Sequence, residues 1–256
     1  MRRRHQFRQR VGSRLVQIAF IAVLLALWYL ATNRWGVNRL LLPNPISVWH
    51  QLLDVLASGE YLPDLRVTLT EVAAAFAISM SSGTLIGYFV SRSGYSIKVF
   101  EPLFAGIYSI PIILLLPLYV LFFGLGMASK IALGTTISFF PVVLSTIAGF
   151  SNVDRALVVA ARSMGASNYH MFRYVLLPAA LPVILGGLRV GFTVALLSIL
   201  GSETIASLAG LGHHIVELAE GMDMARMFAY IVFVVAIAAV LNGAVSALEA
   251  RGRRWT

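Results

Sequence analysis

The chain has 256 residues, of which 59% are apolar or aromatic and 12% charged, against about 25% charged in a soluble domain. That balance excludes a water-soluble globule, and the lack of cysteine excludes thiol redox chemistry, disulfides and thiolate metal sites. A formal net charge of +9 would suit a nucleic-acid partner if it were clustered, but it is divided among the segments between apolar runs, which is how a membrane topology signal looks.

A helix needs about 20 apolar residues to cross a bilayer, and six runs qualify. Residues 1–14 form a basic N-terminus carrying Arg2, Arg3, Arg4, Arg8, Arg10 and Arg14. The run Leu15–Asn33 follows. It is longer than the usual core of a signal peptide, and Leu30-Ala-Thr-Asn33 is a poor cleavage site, so the run reads as a first span. Leu42-Pro43-Asn44-Pro45 then blocks helix locally, and Val48, Leu52, Leu53 and Leu56 fall at the spacing of an amphipathic helix lying along the outer surface. A second span starts near Arg66 and includes the uncharged run Val72–Ser91, whose Ser79, Ser81, Ser82, Gly83 and Gly87 allow close helix packing.

The third run, Pro102–Ser129, contains Pro111 and Pro117, so its backbone must kink or break. Gly124-Leu-Gly126 turns the chain into the fourth run, Ile131–Val153. The segment Ser151–Ala180 is too polar to span and is predicted to form two short helices separated at Gly165, the first capped by Asn152 or Asp154. Pro178 and Pro182 open the fifth run, Leu181–Ser202, which tolerates one charge, Arg189; the sixth is Met227–Leu248, followed by the tail 251–256. With six spans, the segments on the side of the termini hold Arg92, Lys98, Arg155, Arg162, Arg173, Arg251, Arg253 and Arg254, while Asp54, Glu60, Asp64, Glu71, Glu203, Glu217, Glu220 and Asp223 fall on the other side. The positive-inside rule places both termini in the cytoplasm.

No GxxxxGK[ST] loop is present: Lys130, near Gly124 and Gly126, is preceded by Ser129 and followed by Ile131. ATP, if used, is bound by another chain. All five histidines (His5, His50, His170, His213, His214) lie outside the six runs, which argues against haem held between helices. His213, His214, Glu217 and Glu220 are close in sequence but do not form HExxH, and no metal site is expected.

At the predicted hairpin the sequence becomes specific. Ala160-Ala161, Gly165, Val175, Leu177 and Pro178 match the spacing E-A-A-x3-G-x9-I-x-L-P that marks the membrane subunits of ATP-binding-cassette importers. The chain resembles that permease family, within it the branch serving aliphatic sulfonates, taurine and nitrate. Leu42-Pro43-Asn44-Pro45, Phe123-Gly124-Leu-Gly126 with Ser129-Lys130, Ala160-Ala-Arg-Ser-Met-Gly-Ala166, Leu177-Pro-Ala-Ala-Leu-Pro182 and Glu203-Thr204-Ile205 before Gly210-Leu-Gly212 agree with it in order, from about Leu41 to the last span.

The resemblance implies an all-α membrane protein with the six-helix type I (MetI-like) permease fold. It further implies a second permease copy, two cytoplasmic ATPases and an extracytoplasmic solute-binding protein as partners, no cofactor in this chain, and ATP with magnesium on the ATPases. The implied ATPase contact is Arg155, Val159, Ala160, Ala161, Arg162, Gly165, Ala166, Leu177 and Pro178. The family's glutamate at the head of the motif is Val159 here, so Arg155 and Arg162 are the candidates for the polar part of that contact.

Arg189 is expensive inside a span unless it faces protein, water or an anion, and it is either an anion-attracting residue of the pathway or an arginine snorkelling inward or paired with a neighbouring carbonyl. Glu203 lies about 21 Å further along a straight helix, at the outer mouth, as part of a gate, a contact for the binding protein, or a solvated helix end. Tyr108, Ser109 and Ser198 are further candidates for the lining. An ion-gradient transporter is the competing reading, disfavoured because Glu71, Glu101 and Glu203 sit toward span ends. An intramembrane enzyme would need His213, Glu217 and Glu220 to be catalytic.

Overall fold

The structure is a computed structural model that describes residues 2–34, 37, 38 and 41–252, with side chains described from Val16 onward except Ile18. The side chains of the basic N-terminus and the last four residues of the tail lie outside that set. Helix accounts for the fold, with no strand among the described residues. The elements are α1 (Arg2–Asn33), α2 (Pro45–Ser58), α3 (Leu62–Ser91), α4 (Gly94–Tyr108), a 3-10 turn (Ile112–Leu115), α5 (Leu116–Phe123), α6 (Met127–Ser151), α7 (Arg155–Ser163), α8 (Asn168–Met171), a π turn (Phe172–Leu176), α9 (Leu177–Ile205), α10 (Leu211–Glu220) and α11 (Met224–Gly252).

Four stretches are long and apolar enough to cross a membrane: α3, α6, the continuous helix Asn168–Ile205, and α11. A fifth is the pair Gly94–Tyr108 and Ile112–Phe123, bent by 72°. In α1 the described apolar stretch is Ala19–Asn33. The expected third span is thus two helices rather than one run. Ser109–Pro111 is the break, and Pro117 sits in the first turn of α5, where a missing N–H costs nothing.

Charged residues mark the ends of spans less well than expected. Helix α3 starts at Leu62 and takes in Asp64, Arg66 and Glu71, while α6 starts at Met127 and takes in Lys130. The reason is visible in the folded chain, where Asp64 and Lys130 accept or donate hydrogen bonds inside the bundle. Pro178 and Pro182 do not begin a span either. The helix runs through them from Asn168, and the wide π turn just before Pro178 gives its ring room where the i−4 bond is missing.

The chain forms two compact units. One comprises residues 1–60 and 215–233. In it Asn44 caps α2 by accepting the Ile46 N–H at 2.9 Å, so Pro45 starts that helix. The buried face of α2 is Val48, Leu52 and Val55, while Leu53 and Leu56 are exposed; the amphipathic stripe is therefore one position off the expected one. Trp28 donates from its indole to the Pro43 carbonyl at 3.0 Å. Arg226 forks onto both oxygens of Glu60, and the buried Tyr230 hydroxyl donates to the same carboxylate at 3.2 Å.

The other unit comprises residues 61–214 and 234–256, with α6 packed between α3 and α9. Its packing depends on small residues. Ser79, Gly83 and Gly87 form a buried stripe at four-residue spacing on α3, whereas Ser81 and Ser82 turn away and bond their own helix at Ala77 and Ile78. The Val142 side chain of α6 fills the space at two glycines at once: a Cβ on Gly83 would lie 2.8 Å from its Cγ1, and one on Gly191 of α9 would lie 2.6 Å from its Cγ2. Either contact is closer than real Cβ atoms tolerate. Gly83→Val or Gly191→Val is therefore expected to cost about 1–3 kcal/mol, read as earlier thermal aggregation in detergent; melting unchanged from wild type would contradict the close approach.

Candidate functional site

Three places in the larger unit carry polar or exposed features that packing alone does not require. The first is the hairpin. Asp154 caps α7, its carboxylate accepting the Ala156 N–H at 2.8 Å, while Asn152 closes α6 instead. Gly165 has φ +78°, the left-handed conformation that ends a helix most cheaply in glycine. Around it Gly165 N–H donates to Arg162 O at 2.9 Å and Ala166 N–H to Ala161 O at 3.0 Å. These bonds close the C-terminal end of α7.

Between α7 and the start of the fifth span lies an apolar groove of about 560 Å³, walled by Leu157, Ala160, Ala161 and Met164 on one side and Tyr174, Val175, Pro178, Ala179 and Pro182 on the other. Ala161 is buried at its base, while Arg155, Val159, Ala160 and Arg162 are exposed. Met164 is 81% exposed at the rim. Leu177, read with this group in the sequence, lines a different groove beside Tyr88, Phe150 and Phe172.

The second place is a cavity of about 340 Å³ where the break after α4 faces α9. It contains Tyr108, Ile112, Ile137, Leu197, Ser198 and Gly201. The structure therefore brings Tyr108 and Ser198 together. Ser109 turns back to its own helix, donating to Gly106 O at 2.7 Å. Arg189 lies on another face of α9: its guanidinium is 3.6 Å from the Glu249 carboxylate, and next to it Thr193 donates to Asn242 at 2.7 Å. The pairing that sequence left open for Arg189 is thus with a carboxylate on α11.

The third place centres on Glu203, whose partners come from two other helices, α3 and α10. At the end opposite the hairpin, Glu203 is buried at 1% exposure and accepts from the Thr68 hydroxyl at 2.7 Å and from the Gly212 N–H at 2.8 Å. Thr68 in turn receives the Leu211 N–H at 3.0 Å, and Asp64 the Gly210 N–H at 2.9 Å. Gly210 has φ +109°, and a Cβ there would run into the Glu203 carboxylate. Glu203 is thus a buried strap for the loop Ser207–Gly212 and not a solvated helix end.

Beneath the strap lie Glu71 and Lys130, both buried and both interacting electrostatically with Glu203. Lys130 donates to the carbonyls of Leu125 and Gly126 at 2.8 and 3.0 Å, capping the turn that enters α6. His214 Nδ1 lies 3.9 Å from Asp64 Oδ2, so this histidine faces a carboxylate of α3.

The signal for this node in the sequence is a set of charges at the edges of apolar runs, where a charge ordinarily marks the end of a span. Removing the charge of Glu203 weakens a charge-assisted bond worth about 1.5–3 kcal/mol, and so raises loop opening roughly 10- to 100-fold. The chain has no cysteine, so a thiol at buried Leu211 reports that opening cleanly. Labelling of L211C is expected to accelerate by that factor when Glu203→Gln is added; an unchanged rate would show that the strap does not hold the loop.

A helical chain with several stretches apolar enough to cross a membrane, an exposed short-helix hairpin and a cavity at a broken span has the architecture of a multi-pass membrane protein. The comparisons give the family. Residues 79–254 match the profile of the binding-protein-dependent transport system inner membrane component. The chain belongs to that family, the permease subunits of ATP-binding-cassette importers.

It is 31% identical over 245 residues to the taurine transport system permease protein TauC of Escherichia coli (strain K12), covering 94% of this chain and 89% of that one. It is 28% identical to the provisionally named aliphatic sulfonates transport permease protein SsuC of Bacillus subtilis (strain 168), covering 91% and 85%. Among solved structures, an amino acid ABC transporter superposes with TM-score 0.61 at 24% identity, covering 80% of this chain and 98% of that one. The inward-facing MetNI methionine ABC transporter gives TM-score 0.61 at 20% identity over 73% and 93%. These two likenesses concern the fold, which is the MetI-like one expected.

Proposed function

We propose that the chain forms one half of the solute pathway of an ATP-driven importer, with a second copy as the other half. The observation that carries this reading is the apolar groove at the hairpin. A short helix held by backbone bonds, with Val159, Ala160 and Arg162 exposed, is a rigid handle. Its groove has the size to seat part of a partner ATPase. ATP and magnesium act on that partner, and this chain holds no cofactor. Closure of the ATPases pulls α7, and the motion passes along the continuous helix Asn168–Ile205 to the cavity at Tyr108 and Ser198 and on to the strap at Glu203. Arg155 and Arg162 take the polar part of the docking contact in place of the family's glutamate at Val159.

An extracytoplasmic binding protein delivers the solute to the Glu203 end. Both termini and the hairpin face the cytoplasm, on the charge distribution of the loops, and the membrane is a bacterial inner membrane. The named relatives support a small sulfonate as the solute, either zwitterionic taurine or an anionic alkylsulfonate. Arg189 serves attraction of that sulfonate toward the inner end when its contact with Glu249 is released. Nitrate, an inorganic anion, shares only the single negative charge of an alkylsulfonate. The experiment is uptake into vesicles holding the chain with its neighbouring ATPase and binding protein. ATP-dependent taurine or alkylsulfonate uptake that survives an ionophore supports the reading; uptake that needs an ion gradient and no ATP refutes it.

A further inference from the structure

One carboxyl group at the strap has no hydrogen-bond donor. Glu71 is 0% exposed, and among the described residues neither of its oxygens receives a hydrogen bond. An ionised carboxylate is an acceptor only, and folded proteins rarely bury one with no donor. Glu203 is its opposite. Oε1 accepts from Thr68 and Oε2 from Gly212, and because Thr68 Oγ1 already receives the Leu211 N–H, its own proton points to Glu203.

The electrostatic interaction between Glu71 and Glu203 places these two buried carboxyl groups near each other. Between two carboxyl groups that approach is favourable only when one holds a proton. Charge gives the same answer. Lys130 on α6 is the cation acting on both carboxyl groups, and one ammonium balances one carboxylate, so two ionised carboxylates would leave a net negative charge buried in the bundle, which is costly. The other titratable groups near the strap are Asp64 on α3 and His214 on α10, 3.9 Å apart.

We infer that Glu71 carries a proton and donates it to Glu203, giving a neutral set of protonated Glu71, ionised Glu203 and Lys130 ammonium. The proton keeps Glu203 in the acceptor state that holds Gly212. This assignment does not depend on what the chain transports, since it concerns the resting bundle.

Infrared spectroscopy of the full chain in lipid nanodiscs at neutral pH, with glutamate labelled at its side-chain carboxyl carbon, tests it. The expected result is a carboxylic-acid carbonyl band that shifts on labelling and is missing in Glu71→Gln. Glutamine can donate an N–H to Glu203 as the acid does, so this variant is expected to melt no lower than wild type. Labelled wild type showing no acid band would overturn the assignment, as would a band that survives in Glu71→Gln and vanishes in Glu203→Gln. Should Glu71→Gln fail to fold, raising the pH on labelled wild type replaces it. A band persisting well above the range where exposed glutamates ionise supports the buried proton, and one lost together with them overturns it.

Discussion

Ala160→Glu is expected to abolish ATP-driven uptake and co-purification of the ATPase while leaving the permease folded. Ala160 is exposed on α7 and forms part of the wall of the hairpin groove, so a longer side chain there disturbs no internal packing. A carboxylate placed in an apolar groove blocks a docking partner both by volume and by burying a charge without compensation. Losses of this kind at a docking centre amount to about 2–4 kcal/mol, or roughly 30- to 1000-fold in affinity. Gly165→Ala is a calibrating comparison. Nothing lies within 4 Å of a Cβ there, and the only penalty comes from φ +78°, worth about 1–2 kcal/mol. It is therefore expected to weaken coupling less than Ala160→Glu does. Val159, 63% exposed, stands where the family has glutamate, and Val159→Glu is expected to keep the complex intact or tighten it. Normal assembly and uptake in Ala160→Glu would show that the groove is not where the ATPase binds.

The parts of this fold that were legible from residue patterns are the ones set by local chemistry. Uncharged runs located the cores of the spans because hydrocarbon tolerates few charges. Gly165 marked the hairpin because a left-handed position favours glycine. The break near Pro111 was legible because proline removes a helical bond. What escaped notice depended on partners distant in sequence. Glu71, Lys130 and Glu203 come from three helices, and each taken alone resembles the charged end of a span. Arg189 could not be assigned a partner until α11 brought Glu249 beside it. The face of α2 was misplaced by one position because Leu53 and Leu56 fit a helical period as well as Val55 does, and only the packed chain decides between them. Pro178 and Pro182 look in sequence like the start of the fifth span, because the widened turn that carries the helix through them leaves no residue signature.

Lys130→Met is expected to be the most destabilising single change in the bundle. Its side chain is 1% exposed, and its ammonium caps the carbonyls of Leu125 and Gly126 and interacts electrostatically with the buried carboxyl group of Glu203. Methionine fills similar volume, so packing is largely kept and the loss is electrostatic. Removing one partner of a buried charge pair costs about 3–5 kcal/mol, because the other charge is left without compensation. Removing both is far milder, and Lys130→Met with Glu203→Gln is expected to recover most of that loss. The remaining deficit comes from the two carbonyls and from the weakened bond to Gly212. A double-mutant cycle on unfolding in detergent measures this, with a coupling of about 2 kcal/mol or more expected for groups in one network. The cycle also separates charge balance from capping. If Lys130 acted only as a cap on the α6 turn, Glu203→Gln would add its own loss to that of Lys130→Met instead of offsetting it, and the node would be three unrelated side chains that happen to share an end of the bundle.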